Sequence, residues 1–126
     1  MKNIIAAIFI TAALCLISGN AIGQSAVYFC SETGAYGYAY GTTIKDAQAT
    51  AYNNCISFGG TKPVLIVSTE KKGYGSIAIG NDANGNRVIG TALGYPSQND
   101  ANSEAIKQCQ SKGGTGIYVS ETWQDK

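Results

Sequence analysis

Residues 51–60, AYNNCISFGG, return at 105–114 as AIKQCQSKGG, which puts Cys55 and Cys109 54 residues apart. The match extends upstream at the same offset. Thr43-Ile44-Lys45-Asp46 corresponds to Ser97-Gln98-Asn99-Asp100, and Ala47, Ala51 and Cys55 correspond to Ala101, Ala105 and Cys109. In both copies a hydroxyl residue stands where an orphan helix amide needs an acceptor, and an acid falls in the first turn. Spacing of four then lines up Ala, Ala and Cys on one helix face, and a glycine pair follows where a helix ends. The pattern predicts helices over 44–58 and 98–112. Neither can bury its small-residue face alone, so each needs a sheet to lie on.

The strand signals repeat with the helices. Ala26–Cys30 and Ala35–Tyr40 flank one glycine-containing turn, and Ser76–Gly80 and Arg87–Leu93 flank NDANGN. Each pair reads as a β-hairpin. A further strand follows each helix, at 63–67 and 115–119, with Pro63 at a strand start where a missing donor is tolerated. The expected class is α+β: a strand–strand–helix–strand unit used twice, over about 25–70 and 75–122. Its six strands are expected in a mixed or antiparallel sheet with both helices on one face. Gly73-Tyr74-Gly75-Ser76 lacks the lysine and the strand–loop–helix context of a phosphate loop, and reads as a tight lead-in to a strand.

The first 23 residues have the form of a secretory leader: Lys2, an apolar run from Ile4 to Ile17, and Ala21-Ile22-Gly23 as a small-x-small cleavage site. Leu14 before Cys15 speaks against lipoprotein processing. The mature chain is then expected to begin at Gln24 and to be periplasmic or secreted, with no second run long enough to span a membrane. The full chain has nine basic and eight acidic residues, and the leader removes Lys2, so the mature charge is close to zero. The basic residues are scattered apart from Lys71-Lys72, which gives no electrostatic footprint for nucleic acid.

Histidine is absent from the chain. That excludes a Cys–His pair or a Ser–His triad within it, and three separated cysteines without a local ligand pair do not make a zinc site. No cofactor is expected. In NDANGN, Asp82, Asn84 and Asn86 alternate as calcium-loop ligands do, but Arg87 and Leu93 stand where that loop needs Gly and Glu, so a polar turn is the better reading. Glu32, Glu70, Asp82 and Glu121 fall at strand ends or in loops, and any two of them converging would supply a carboxylate pair. After leader removal Cys30, Cys55 and Cys109 remain, and an oxidising compartment favours one disulfide. Cys55–Cys109 would clasp the two units, Cys30–Cys55 would staple the first, and Cys30–Cys109 or no bridge completes the set.

The stretch TGAYGYAYG at 33–41 alternates large and small. Tyr36, Tyr38 and Tyr40 share one strand face, while Gly37 and Ala39 share the other, where a helix could sit close. Tyr28 and Tyr118 are expected to extend the tyrosine face, which suits a binding surface because each ring buries area and keeps a polar hydroxyl. Together with Ala47-x-x-x-Ala51-x-x-x-Cys55, Gly59-Gly60 and Gly75-Ser76-Ile77-Ala78, this stretch resembles the family of small exported domains designated DUF4189. The likeness covers about 26–80, and 86–114 through the duplication. It implies export and no assigned activity. The family's further cysteines have no counterpart in TKPVLIVSTEKKGY.

The expected function is a non-enzymatic protein-binding module, an inhibitor or immunity protein whose partner is another exported protein. The alternatives are an envelope-acting enzyme using carboxylates or an unusual cysteine, and a structural homodimer.

Overall fold

The computed structural model describes residues 24–126, so the leader reading lies outside the described residues. Both helices begin where their caps allow. The Thr43 hydroxyl accepts from the Asp46 amide at 3.2 Å and opens α1, Ile44–Ser57; the Ser97 hydroxyl accepts from the Asp100 amide at 3.1 Å and opens α2, Gln98–Ser111. The glycine pairs explain both ends. Gly59 N–H donates to Ile56 O and Gly60 N–H to Cys55 O; Gly113 and Gly114 repeat the two bonds on Gln110 and Cys109. This is the Schellman closure. Its first glycine is left-handed, with φ of 104° at Gly59 and 86° at Gly113. Its second must lack a Cβ, which would lie 2.8 Å from the Cys55 sulfur at Gly60 and 2.8 Å from the Cys109 sulfur at Gly114.

The strands are β1 (Gln24–Phe29), β2 (Tyr36–Thr42), β3 (Val64–Thr69), β4 (Gly73–Asn81), β5 (Arg87–Tyr95) and β6 (Thr115–Asp125). The β-β-α-β unit therefore occurs twice, and the chain is α+β. The six strands divide into two antiparallel three-stranded sheets, ordered β2-β1-β3 and β5-β4-β6. One continuous sheet with both helices on one face would leave its other face bare. Here the sheets turn those faces on each other, and each helix covers the outer face of its own sheet.

Alternation along the strands sorts the layers. Ala26 and Ala39 meet Ala47 and Ala51 of α1, while Ala78 and Ala92 meet Ala101, Ala105 and Cys109 of α2. Between the sheets, Val27, Ile77, Ile79, Ile89 and Trp123 form the main core, joined by Phe29, Tyr36, Tyr38, Ile66, Val67 and Leu93. Fully burying an aliphatic side chain of this size contributes about 1.5–3 kcal/mol. Across the core β2 lies on β6 and β3 lies on β5. Since β6 is the copy of β3 and β5 the copy of β2, these are one contact made twice around a pseudo-two-fold axis along the strands. Both hairpin tips consequently sit at the same end.

The closest approach in each unit is helix backbone on strand backbone. A Cβ at Gly37 would overlap Ala51 O and Cys55 N, and one at Gly90 would overlap Ala105 O and Cys109 N. Neither obstacle is a side chain that can swing away. Gly37→Ala and Gly90→Ala should each destabilise by at least about 3 kcal/mol, the upper part of the range for over-packing, measured by urea unfolding. Gly85→Ala, where a Cβ meets only open space, should be milder and limited to the strain of φ 84°.

Asp125, 3 % exposed at the far end of β6, has no hydrogen-bond partner for either carboxylate oxygen. Burial pushes its pKa up, and the Gly41 amide, outside hydrogen-bond geometry, and the Lys72 ammonium offset part of this. A carboxyl raised in the folded state contributes stability below its unfolded pKa, near ~4, and that contribution is lost as pH rises through the folded value. Asp125→Asn should therefore raise the urea midpoint at pH 7 and leave it nearly unchanged near pH 3.

Candidate functional site

At the tip end the two hairpin turns and β6 enclose a cleft of about 590 Å³. One wall is the β1–β2 turn, Ser31–Ala35. The other is formed by Asn81, Gly85, Asn86 and Arg87, with Tyr36 and Glu121 at the base and Phe58 at the rim. Arg87 ties the walls together by donating from Nη1 to Gly34 O at 3.0 Å. The opposing turn is shaped by Asp82, whose Oδ1 accepts from the Asn84 and Asn86 amides, each at 2.9 Å. NDANGN is thus a polar turn in the structure. Phe58 caps α1 and is 71 % exposed, so a large apolar ring stands free beside a polar, mixed-charge opening.

The base is held across the sheet–sheet seam. Tyr38 donates to Glu121 Oε1 at 2.9 Å and Tyr36 to Oε2 at 2.9 Å, and the Tyr36 hydroxyl also lies 2.6 Å from Ser120 Oγ. Each carboxylate oxygen therefore takes one phenol. Burial first, then the hydrogen bond and charge of Glu121, push Tyr38 up to about 12. Burial also raises Tyr36, with Ser120 and Arg87 pulling the other way. Behind this clamp Trp123 stacks on Tyr38 (centroids 4.7 Å, 15°) and on Tyr40 (5.5 Å, 11°). Gly75 makes room, because a Cβ there would occupy the indole.

Tyrosine alternation is as the sequence implies, with a different outcome. Tyr36, Tyr38 and Tyr40 do face away from α1, and that direction leads into the second sheet. Tyr36 and Tyr38 are spent on internal contacts, and Tyr40 is 46 % exposed at the edge of the stack. Tyr118 lies opposite Ile79 on β6 and is 57 % exposed. Tyr28 does not extend this face. Its cross-strand partner is Gly37, so it shares the helix side and packs edge-on against Tyr52 at 5.4 Å.

Of the four acids, the fold brings Glu32 and Glu121 to one cleft. Asp82 is committed to its turn, and Glu70 sits at the opposite end after β3. Glu32 accepts from the Thr61 hydroxyl at 2.8 Å and faces Lys62 at 3.7 Å, an exposed pair of little energetic weight. Arg87, Phe58 and Trp123 were not singled out by the sequence. An alternation of Glu121, Trp123 and Asp125 beyond the predicted end of the last strand is the signal that points to the third; β6 in fact runs to Asp125.

The expected disulfide does not form. Cys30, Cys55 and Cys109 are all free and buried. Cys55 and Cys109 sit beneath helices on opposite outer faces, with two sheets between them, so the clasp between units is geometrically impossible. Cys30 and Cys55 share a small cluster with Ala35 and are not bridged. The Thr33 hydroxyl and then the Lys62 amide, against burial, bring Cys30 down to about 6, and Thr61, its hydroxyl 3.6 Å from the sulfur, adds less. Burial raises Cys55 and Cys109. Among the described residues no group of three or more metal-ligating side chains occurs, and no helix is long and apolar enough to cross a membrane.

No family model, curated protein or solved structure matches the chain.

The phenol–carboxylate clamp is testable by titration. Tyr38 stabilises the fold as a neutral phenol, so its contribution is complete below pH ~10 and disappears as pH rises through about 12. Tyr38→Phe should cost about 1.5 kcal/mol at neutral pH, as for a hydrogen bond to a charged acceptor, and should remove the tyrosine that ionises at about 12 from an ultraviolet pH titration.

Proposed function

We propose that the chain is a non-enzymatic, periplasmic or secreted protein-binding module that acts as an inhibitor or immunity partner of another exported protein. The tip-end cleft is the feature that carries this reading. It lies where the duplicated halves meet, its walls are fixed by the Arg87–Gly34 link, and its base is fixed by the Glu121 clamp. A site pre-organised in this way loses little entropy on binding. The exposed Phe58 ring beside Glu32, Lys62 and Arg87 has the make-up of an interface centre, an aromatic anchor with a charged surround. Export rests on the leader sequence, and the likeness to DUF4189 rests on the motifs that carry it.

The test is retention of a partner from the exported proteins of the native source, followed by affinity measurement on that partner. Phe58→Ala should weaken the complex by about 2 kcal/mol, roughly 30-fold, with the monomer still folded. Lys107→Ala, on α2 away from the cleft, should leave it unchanged. Equal affinity for Phe58→Ala and the parent protein would sink the assignment.

A second reading, an enzyme acting on envelope glycans, is favoured by one observation: Glu32 and Glu121 line the same cleft. Against it, both Glu121 oxygens are already engaged by phenols. Turnover of cell-wall glycan that Glu121→Gln abolishes would decide for this reading.

A further inference from the structure

Cys30 has no counterpart in the second unit. Tyr28 pairs with Gly37 and Ala78 with Gly90, so two residues further on Cys30 of unit one corresponds to Gly80 of unit two. At Gly80 a Cβ would lie 2.9 Å from Thr115 O and 3.3 Å from the Cys109 sulfur. Unit two thus closes over a single thiol. Unit one opens the same position and fills it with a second one.

The two sulfurs of unit one share their neighbours. Ala35 O accepts from the Cys30 amide at 2.8 Å and from the Cys55 thiol at 3.5 Å. On the other side a Cβ at Gly60 would lie 2.8 Å from the Cys55 sulfur, and the hydroxyl of the next residue, Thr61, lies 3.6 Å from the Cys30 sulfur. The pair is fully buried and is sheltered by Tyr28. Its cover on the solvent side is the exposed turn at Gly59, Thr61 and Lys62.

We propose that Cys30 and Cys55 form a two-coordinate site for a soft monovalent cation, copper(I) or its analogue silver(I). Thiolates are the protein ligands that favour such ions, and two of them suffice for a linear site. Zinc is unsuited because it needs four ligands, and no larger cluster of ligating side chains exists among the described residues. Both sulfurs bind as thiolates, so one cation and two thiolates leave a single negative charge. The Thr33 hydroxyl and the Lys62 amide, which already favour the Cys30 thiolate, face that charge. Cys55 releases the proton it now donates to Ala35 O, and that proton passes to the buffer on the solvent side at the Gly59–Lys62 turn as the cation enters. Any proton still on Cys30 leaves by the Thr61 hydroxyl to Glu32 at the surface, 2.8 Å further on.

The reduced protein is titrated with copper(I) held by a coloured chelator, and silver(I) serves as a redox-silent repeat. One equivalent per chain should transfer from the chelator, with a thiolate-to-metal band in the ultraviolet. Cys30→Ser and Cys55→Ser should each weaken binding by more than the ~100-fold that loss of an outer-shell partner costs. Cys109→Ser should bind like the parent protein. Cys30→Gly installs the residue that unit two uses at this place, so it separates loss of binding from loss of fold, with circular dichroism as the check. Binding that survives Cys30→Gly, or that Cys109→Ser reduces equally, overturns the proposal. So does recovery of the purified protein with Cys30 and Cys55 already oxidised to each other.

Discussion

Each helix rests its backbone directly on a strand glycine, Gly37 under α1 and Gly90 under α2, and the rest of the molecule follows from that contact. A helix lying so low admits only small residues beneath it. Ala47, Ala51 and Cys55, with their copies in α2, supply them on the helix side, and Ala26, Ala39, Ala78 and Ala92 on the sheet side. Such a layer buries little apolar area per residue, so the bulk of the hydrophobic stabilisation has to come from the opposite faces of the sheets. Those faces carry Val27, Ile77, Ile79, Ile89, Tyr36, Tyr38 and Trp123, and they are buried by stacking sheet on sheet.

The same alternation explains the seam. Gly37 on the helix side obliges Tyr36 and Tyr38 to point into the space between sheets, where a phenol needs a partner for its hydroxyl. Glu121 meets both, one oxygen each. Burial, with the hydrogen bond and charge of Glu121 added to it, keeps both phenols neutral. This clamp fixes the base of the tip-end cleft without using either of its hairpin turns.

Duplication gives two scaffolds that differ where their sequences differ. Phe58 corresponds to Lys112, whose ammonium is turned inward to Ile89 O at 3.0 Å. Cys30 corresponds to Gly80. The first unit thus carries an exposed ring and a second buried thiol at places where the second unit is closed and self-satisfied. Both departures lie at the end where the hairpin tips meet, which concentrates the chemically distinctive residues of the chain in one region.

The sequence by itself determined the local structure. Caps at Thr43 and Ser97, glycine pairs after each helix and small–large alternation in TGAYGYAYG are decided by neighbours within a few residues, so the duplicated unit, both helices and the direction of the tyrosines are legible from them. Only the tertiary structure decided what lies beyond those neighbours. Whether six strands make one sheet or two depends on which faces find each other, and spacing along the chain is silent on that. For the same reason the tyrosine face became an internal seam, and Tyr28 went to the helix side because of its register with Gly37. The Cys55–Cys109 bridge failed because equivalent positions in a duplicated chain need not be adjacent. Glu32, Phe58, Arg87 and Glu121 come from four separate segments, and folding alone brings them to one cleft.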